Sequence, residues 1–116
     1  MTQVYLMTTL IPDRVPLYRN ALEPLVTEEV KRQLEQLSPK LVKYINPEQV
    51  IAYALNRLPP LYATSLEGWT RQQEIAKTKL EKQIVLAVRQ GLVAIQRDPL
   101  KVTTPLVFIE DNNSEN

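Results

Sequence analysis

The chain has 116 residues, 44% of them hydrophobic and 23% charged, with a formal net charge of +1. That is enough for one domain with one modest core, in the ordinary composition range of a soluble globular protein. It contains no Cys and no His, which excludes disulfides, thiolate zinc sites, cysteine nucleophiles and histidine general bases together. Carboxylate metal sites and carboxylate-pair enzymes stay open on composition alone.

Residues 1–16 read as an extended arm. Val4-Tyr5-Leu6-Met7-Thr8-Thr9 has strand-forming types, and Pro12 and Pro16 break any helix. The apolar patch at 4–10 lacks a basic start and a small-residue cleavage site, so no signal peptide is expected and a cytoplasmic location is. No apolar run approaches the roughly 18 residues of a membrane span.

A first helix is expected from about residue 17 or 20 to 37, with Leu22, Val26, Val30, Leu34 and Leu37 on one face. Pro24 sits inside this pattern. Either the helix kinks there, or it starts at Glu23-Pro24 with Pro near its first position. Ser38-Pro39 ends it, and 40–45 reads as a short connection. Asn46 is a good N-cap, Pro47 follows at the first helical position, and Gln49 lies three residues after the cap. Val50, Ile51, Ala54, Leu55 and Leu58 mark the apolar face of this second helix, which Pro59-Pro60 stops. Residues 59–69 read as a structured loop, since two prolines, a Tyr and the only Trp do not suit a flexible linker. Gly68 is expected there to supply a backbone angle that other residues resist.

The third helix is expected to be the longest, about 70–97. Ile75 or Ala76, Leu80, Ile84, Ala87, Val88, Gly91, Leu92 and Ile95 form a sustained stripe, and at 1.5 Å per residue it would be roughly 40 Å long. Gly91 costs helix stability, and close approach of another helix would explain it. Residues 103–109 read as a short strand or docked arm, followed by an acidic disordered tail. The chain is thus read as all-α: a compact domain of three to four helices with one long C-terminal helix over 17–101, an extended arm over 1–16, and a C-terminal arm and tail over 102–116. The long stripe favours a homodimer, because two shorter helices cannot cover it; the alternative is a monomer that covers it with its own arms.

Residues 70–101 carry seven basic against three acidic residues. That local excess suits a small phosphate ligand and is low for a nucleic-acid binder. The chemistry concentrates in the centre. Asn56 and Arg57 end a helix beside the rigid turn of Pro59 and Pro60, and an Arg fork suits a phosphate or a guanine edge. Tyr62 and Trp69 offer flat faces for base stacking. Thr64 and Ser65 precede a helix N-terminus, where free N–H groups favour an anion. Each also has an ordinary structural use. Arg57 would neutralise a helix C-terminus, the aromatics would anchor the loop, and a hydroxyl would cap the third helix. Arg19, Lys31 and Arg32, with Arg71, Lys77 and Lys79, are weaker phosphate candidates for which solvated charge is the default. Glu23, Glu28 and Glu29 form no acid–base pair, and no catalytic residue is assigned.

Ala54-Leu55-Asn56-Arg57-Leu58-Pro59-Pro60-Leu61-Tyr62-Ala63-Thr64-Ser65, followed by Gly68-Trp69, resembles the signature of the late-competence ComFB-like family. Asn20, Glu23, Val26 and Glu28-Glu29-Val30 are similar to its N-terminal helix, and Gln83-Ile84 and Asp98-Pro99 to its C-terminal helix. The resemblance spans about 18–100. Tyr44-Ile45-Asn46-Pro47 before the second helix looks closest to the cyanobacterial branch. The resemblance implies a helical dimer that is a non-enzymatic receptor for cyclic di-GMP, and for cyclic di-AMP as an open alternative, with links to cell size, natural competence and motility. The zinc-binding cysteines of some members have no counterpart here. The expected ligand residues are Asn56, Arg57, Pro60, Tyr62, Thr64, Ser65, Gly68, Trp69 and Arg71, with no metal or cofactor. The expected partners are the cyclic dinucleotide, a second copy, and a downstream regulator such as a transcription factor, without a membrane. A protein-interaction module using the Pro-Pro loop and Trp69 is the rival reading, and a nucleic-acid binder using the third helix the least favoured.

Overall fold

The computed structural model describes residues 17–97, 104, 106 and 107. The expected arm over 1–16, and most of the C-terminal arm and tail, lie outside them. Thr104, Leu106 and Val107 are exposed and belong to no regular element. In chain order the elements are β1 (Arg19–Asn20), α1 (Leu22–Leu34), α2 (Pro39–Val42), α3 (Pro47–Leu55), β2 (Tyr62–Ala63), α4 (Leu66–Lys79) and α5 (Glu81–Gln96). The architecture is all-α, with one two-stranded antiparallel ribbon that pairs Arg19 with Ala63 and Asn20 with Tyr62.

The helices start where the sequence supplies the chemistry. Pro24 falls in the first turn of α1, where its missing N–H costs nothing, so the helix begins beside it instead of kinking. The Asn20 side-chain oxygen accepts the Leu22 N–H at 3.1 Å. Asn46 caps α3 by accepting the Glu48 N–H at 2.9 Å, with Pro47 at the first helical position. Pro39, expected to end the first helix, and 40–42 of the expected connection make the single turn α2, with Ser38 as its extended N-cap.

The core is built from Leu22, Val26 and Val30 of α1, Val50 and Ala54 of α3, and Ile84, Ala87, Val88 and Leu92 of α5, closed by Ile45, Leu58 and Ala76. Each large side chain removed from water here contributes about 1.5–3 kcal/mol. The α3–α5 interface is the most extensive, and α1 packs across both helices. Gly91 sits in that interface: an added Cβ would lie 3.2 Å from the Tyr53 ring and 3.4 Å from the Val50 carbonyl oxygen. One buried polar side chain joins the layers. The Gln33 amide donates to Glu29 at 2.7 Å and to the Val85 carbonyl of α5 at 3.1 Å.

The single long third helix expected from the apolar stripe is two helices. α4 starts four residues earlier than expected, at Leu66, and the chain leaves helical geometry at Leu80 (φ −116°, ψ 6°) before α5 begins. No Pro or Gly causes the break. The Thr78 hydroxyl donates to the Glu74 carbonyl at 2.8 Å just before it, but Thr27 makes the same bond to Glu23 inside the unbroken α1, so this bond by itself does not break the helix. The stripe runs across the break, because Ala76 and Ile84 are buried and Leu80 packs between them against the core. α4 is otherwise largely exposed, with Ala76 its one buried residue, and it leans mainly on β2 and α5.

Candidate functional site

Asn20 organises the central loop. Its side-chain oxygen also accepts the Leu61 N–H at 3.1 Å, while the Ala21 N–H donates to the Leu61 carbonyl at 2.8 Å. The Pro-Pro loop is thereby tied to the entry of α1 and feeds β2. From β2 the Tyr62 carbonyl accepts the Gln72 amide at 3.1 Å, which holds α4 against the ribbon. Ser65 takes an extended conformation (φ −137°, ψ 163°) and caps α4, its hydroxyl accepting the Gly68 N–H at 3.0 Å.

This arrangement leaves an open cavity of about 330 Å³ lined by Leu17, Arg19, Ala63, Thr64, Ser65, Leu66 and Trp69. Trp69 is half-buried, one turn into α4. The only charged side chain in the lining is Arg19. The cavity thus combines an aromatic face, one guanidinium, two hydroxyls and the positive end of a 14-residue helix. Beside it the Tyr18 and Tyr62 rings meet at 6.1 Å, tilted by 55°. Leu17, Tyr18, Tyr62 and Leu66 are 65%, 69%, 54% and 77% exposed, an unusually apolar border.

Three of the sequence-predicted residues, Thr64, Ser65 and Trp69, therefore share one cavity. Gly68 lies behind it in the first turn of α4. No glycine among the described residues has positive φ, so the expected special backbone angle is absent. What Gly68 provides is space, since a Cβ would meet the Ser65 hydroxyl at 3.1 Å. Tyr62 is on the rim against Tyr18. Asn56, Pro60 and Arg71 are exposed and line neither this cavity nor the groove described next.

Arg57 is placed elsewhere. Its guanidinium lies 3.6 Å over the Tyr53 ring and donates to the Tyr53 carbonyl at 3.4 Å, so it serves the C-terminus of α3. It lines a separate groove of about 550 Å³ between α3 and α5, with Tyr53, Arg89, Gln90, Val93, Ala94 and Arg97. Arg89 and Arg97 were not singled out by sequence. Their signal was a spacing of eight with Val93 between, which puts all three on one helix face. Arg19, only a weaker phosphate candidate in the sequence, is brought to Trp69 by the pairing of β1 with β2.

A third cavity, about 350 Å³ between α1 and the α4–α5 junction, includes Glu29, Arg32, Lys77 and Glu81. Its charges are partly spent: Arg32 and Glu29 form an ion pair at 2.6 Å. The hydrogen bond from Arg32 holds the Glu29 carboxyl below the usual carboxylate range, against the opposing effect of burial and with help from Gln33. Among the described residues no group of three His, Cys, Asp or Glu could hold a metal ion, and no helix is long and apolar enough to cross a membrane.

The family model described as late competence development protein ComFB matches residues 19–99. No curated protein matches the chain.

Proposed function

The chain belongs to the late competence ComFB family, and on that premise we propose that it is a non-enzymatic cytoplasmic receptor for a cyclic dinucleotide. Cyclic di-GMP is the first ligand to test and cyclic di-AMP the second. The observation that carries the reading is the cavity where Trp69, Arg19, Thr64 and Ser65 meet at the N-terminus of α4. Its volume falls within the usual range of about 300–1,000 Å³ for ligand pockets. A base stacks on Trp69, a phosphate faces Arg19 and the free N–H groups of α4, and the hydroxyls fix orientation. The cavity belongs to one subunit, and a second copy set against the exposed α4 forms a homodimer that holds a two-fold symmetric ligand. Ligand contact with both β2 and α4 changes how α4 is seated. A downstream regulator of cell size, competence or motility reads that change.

Titration calorimetry of the purified protein with cyclic di-GMP, cyclic di-AMP and GTP tests this. Saturable heat with a cyclic dinucleotide, lost in Trp69→Ala and weakened at least about tenfold in Arg19→Gln, is the expected result. Absence of heat with both cyclic dinucleotides, at tens of micromolar protein, overturns it whatever GTP does.

A second reading has its own observation. The exposed border of Leu17, Tyr18, Tyr62 and Leu66 is the kind of surface that binds protein. An interaction module without a small ligand would retain a partner through nuclease treatment and added nucleotide, and lose it in Trp69→Ala or Leu66→Ser.

A further inference from the structure

The groove between α3 and α5 collects three guanidiniums and no carboxylate. Its construction starts at Gly91. The missing side chain there lets the Tyr53 ring settle against α5, where an added Cβ would be only 3.2 Å away. Tyr53 and Arg57 are four residues apart at the end of α3, so the ring becomes a shelf for the Arg57 guanidinium, 3.6 Å above it. The hydrogen bond to the Tyr53 carbonyl orients that fork. Arg89, Val93 and Arg97 form the facing wall, one stripe along α5. Among the described residues Arg89 and Arg97 make no ion pair and Arg57 none with a carboxylate. Glu29, whose ionisation Arg89 favours, is itself engaged by Arg32 and Gln33.

Three like charges around one groove repel each other, and a multiply charged anion relieves that repulsion. The groove has no face for a base: Arg57 covers Tyr53, and the rest of the lining is Gln90, Val93 and Ala94. We infer that this groove is a second ligand site that binds an oligophosphate through Arg57, Arg89 and Arg97 and reads its charge, with no selection for a base. Free inorganic oligophosphate and the phosphate chain of a nucleoside triphosphate share that chemistry. The inference stands apart from the cyclic dinucleotide reading, since the two sites have no lining residue in common.

The test uses inorganic triphosphate, GTP and orthophosphate titrated into the full chain, with chelator present and ionic strength held constant. Inorganic triphosphate is expected to saturate the protein, GTP to bind within a few-fold of it, and orthophosphate at least about tenfold more weakly. Arg89→Gln is expected to weaken triphosphate at least about tenfold. Trp69→Ala leaves it unchanged, and saturating cyclic di-GMP does not displace it. Arginine Nε–Hε resonances of the unsubstituted protein give a readout that needs no variant: Arg57, Arg89 and Arg97 shift on titration and Arg71 does not. Absence of saturation by triphosphate, equal affinity in Arg89→Gln, displacement by cyclic di-GMP, or a strong preference for GTP that lapses in Trp69→Ala would each overturn the inference. A failed cyclic dinucleotide titration leaves it untouched.

Discussion

Replacing Gly91 by Ala sets two known effects against each other. In a helix interior Ala is favoured over Gly by about 1 kcal/mol. The new Cβ, however, would lie 3.2 Å from Tyr53 Cδ1, 3.3 Å from Val50 Cγ1 and 3.4 Å from the Val50 carbonyl oxygen. The Tyr53 ring is half-buried at the groove, but Val50 is fully buried in the core and the third contact is backbone of α3. The Val50 contacts cannot rotate away, so α3 and α5 must separate by a few tenths of an ångström. Overpacking of this kind costs about 1–3 kcal/mol. Crowding therefore wins, and Gly91→Ala is expected to destabilise by roughly 1 kcal/mol. Urea unfolding followed by circular dichroism should show a lower midpoint at unchanged slope, and the melting temperature should fall by about 4–8 °C for a folded unit of this size. A variant more stable than the parent by about the propensity difference would refute the argument that close helix approach explains this glycine.

Asn20→Ala removes the acceptor for two backbone donors, Leu22 N–H and Leu61 N–H. It should cost at least about 2 kcal/mol in urea unfolding, and a change under 0.5 kcal/mol would mean that water replaces the side chain. Glu29 contributes a pH dependence. Because its pKa is depressed in the folded protein by the Arg32 hydrogen bond, its stabilisation is present above the unfolded carboxylate pKa and is lost as pH falls through the lower folded value. The urea midpoint of the parent should therefore drop more steeply than that of Glu29→Gln on acidification through that window, and parallel curves would contradict it. The Trp69→Ala loss of cyclic dinucleotide and the Arg89→Gln loss of oligophosphate test the two sites separately.

The two cavities differ in how far they could be read from the chain. Trp69, Thr64 and Ser65 stand within six residues, so their meeting at a helix start was legible locally. Arg19 could not be added to them, because only the pairing of two-residue strands joins positions 19 and 63. Arg57 looked like their neighbour by sequence distance. In the fold it turns back along its own helix onto Tyr53, four residues away and toward α5.

By itself the sequence determined the all-α class, the cap at Asn46 and nearly every core face, because helical periodicity and capping are local and repeat within a few residues, while it left Thr64 and Ser65 both open as a cap of the third helix. It also carried the family signature across the Pro-Pro turn. The tertiary structure decided the break at Leu80, since an apolar stripe of constant period runs through a bent helix as readily as through a straight one. It decided the use of Gly91, which a sequence can flag but whose partner lies some 40 residues away in α3. It decided, too, which arginines share a groove, because charge on a helix surface acquires a neighbour only when another helix packs beside it.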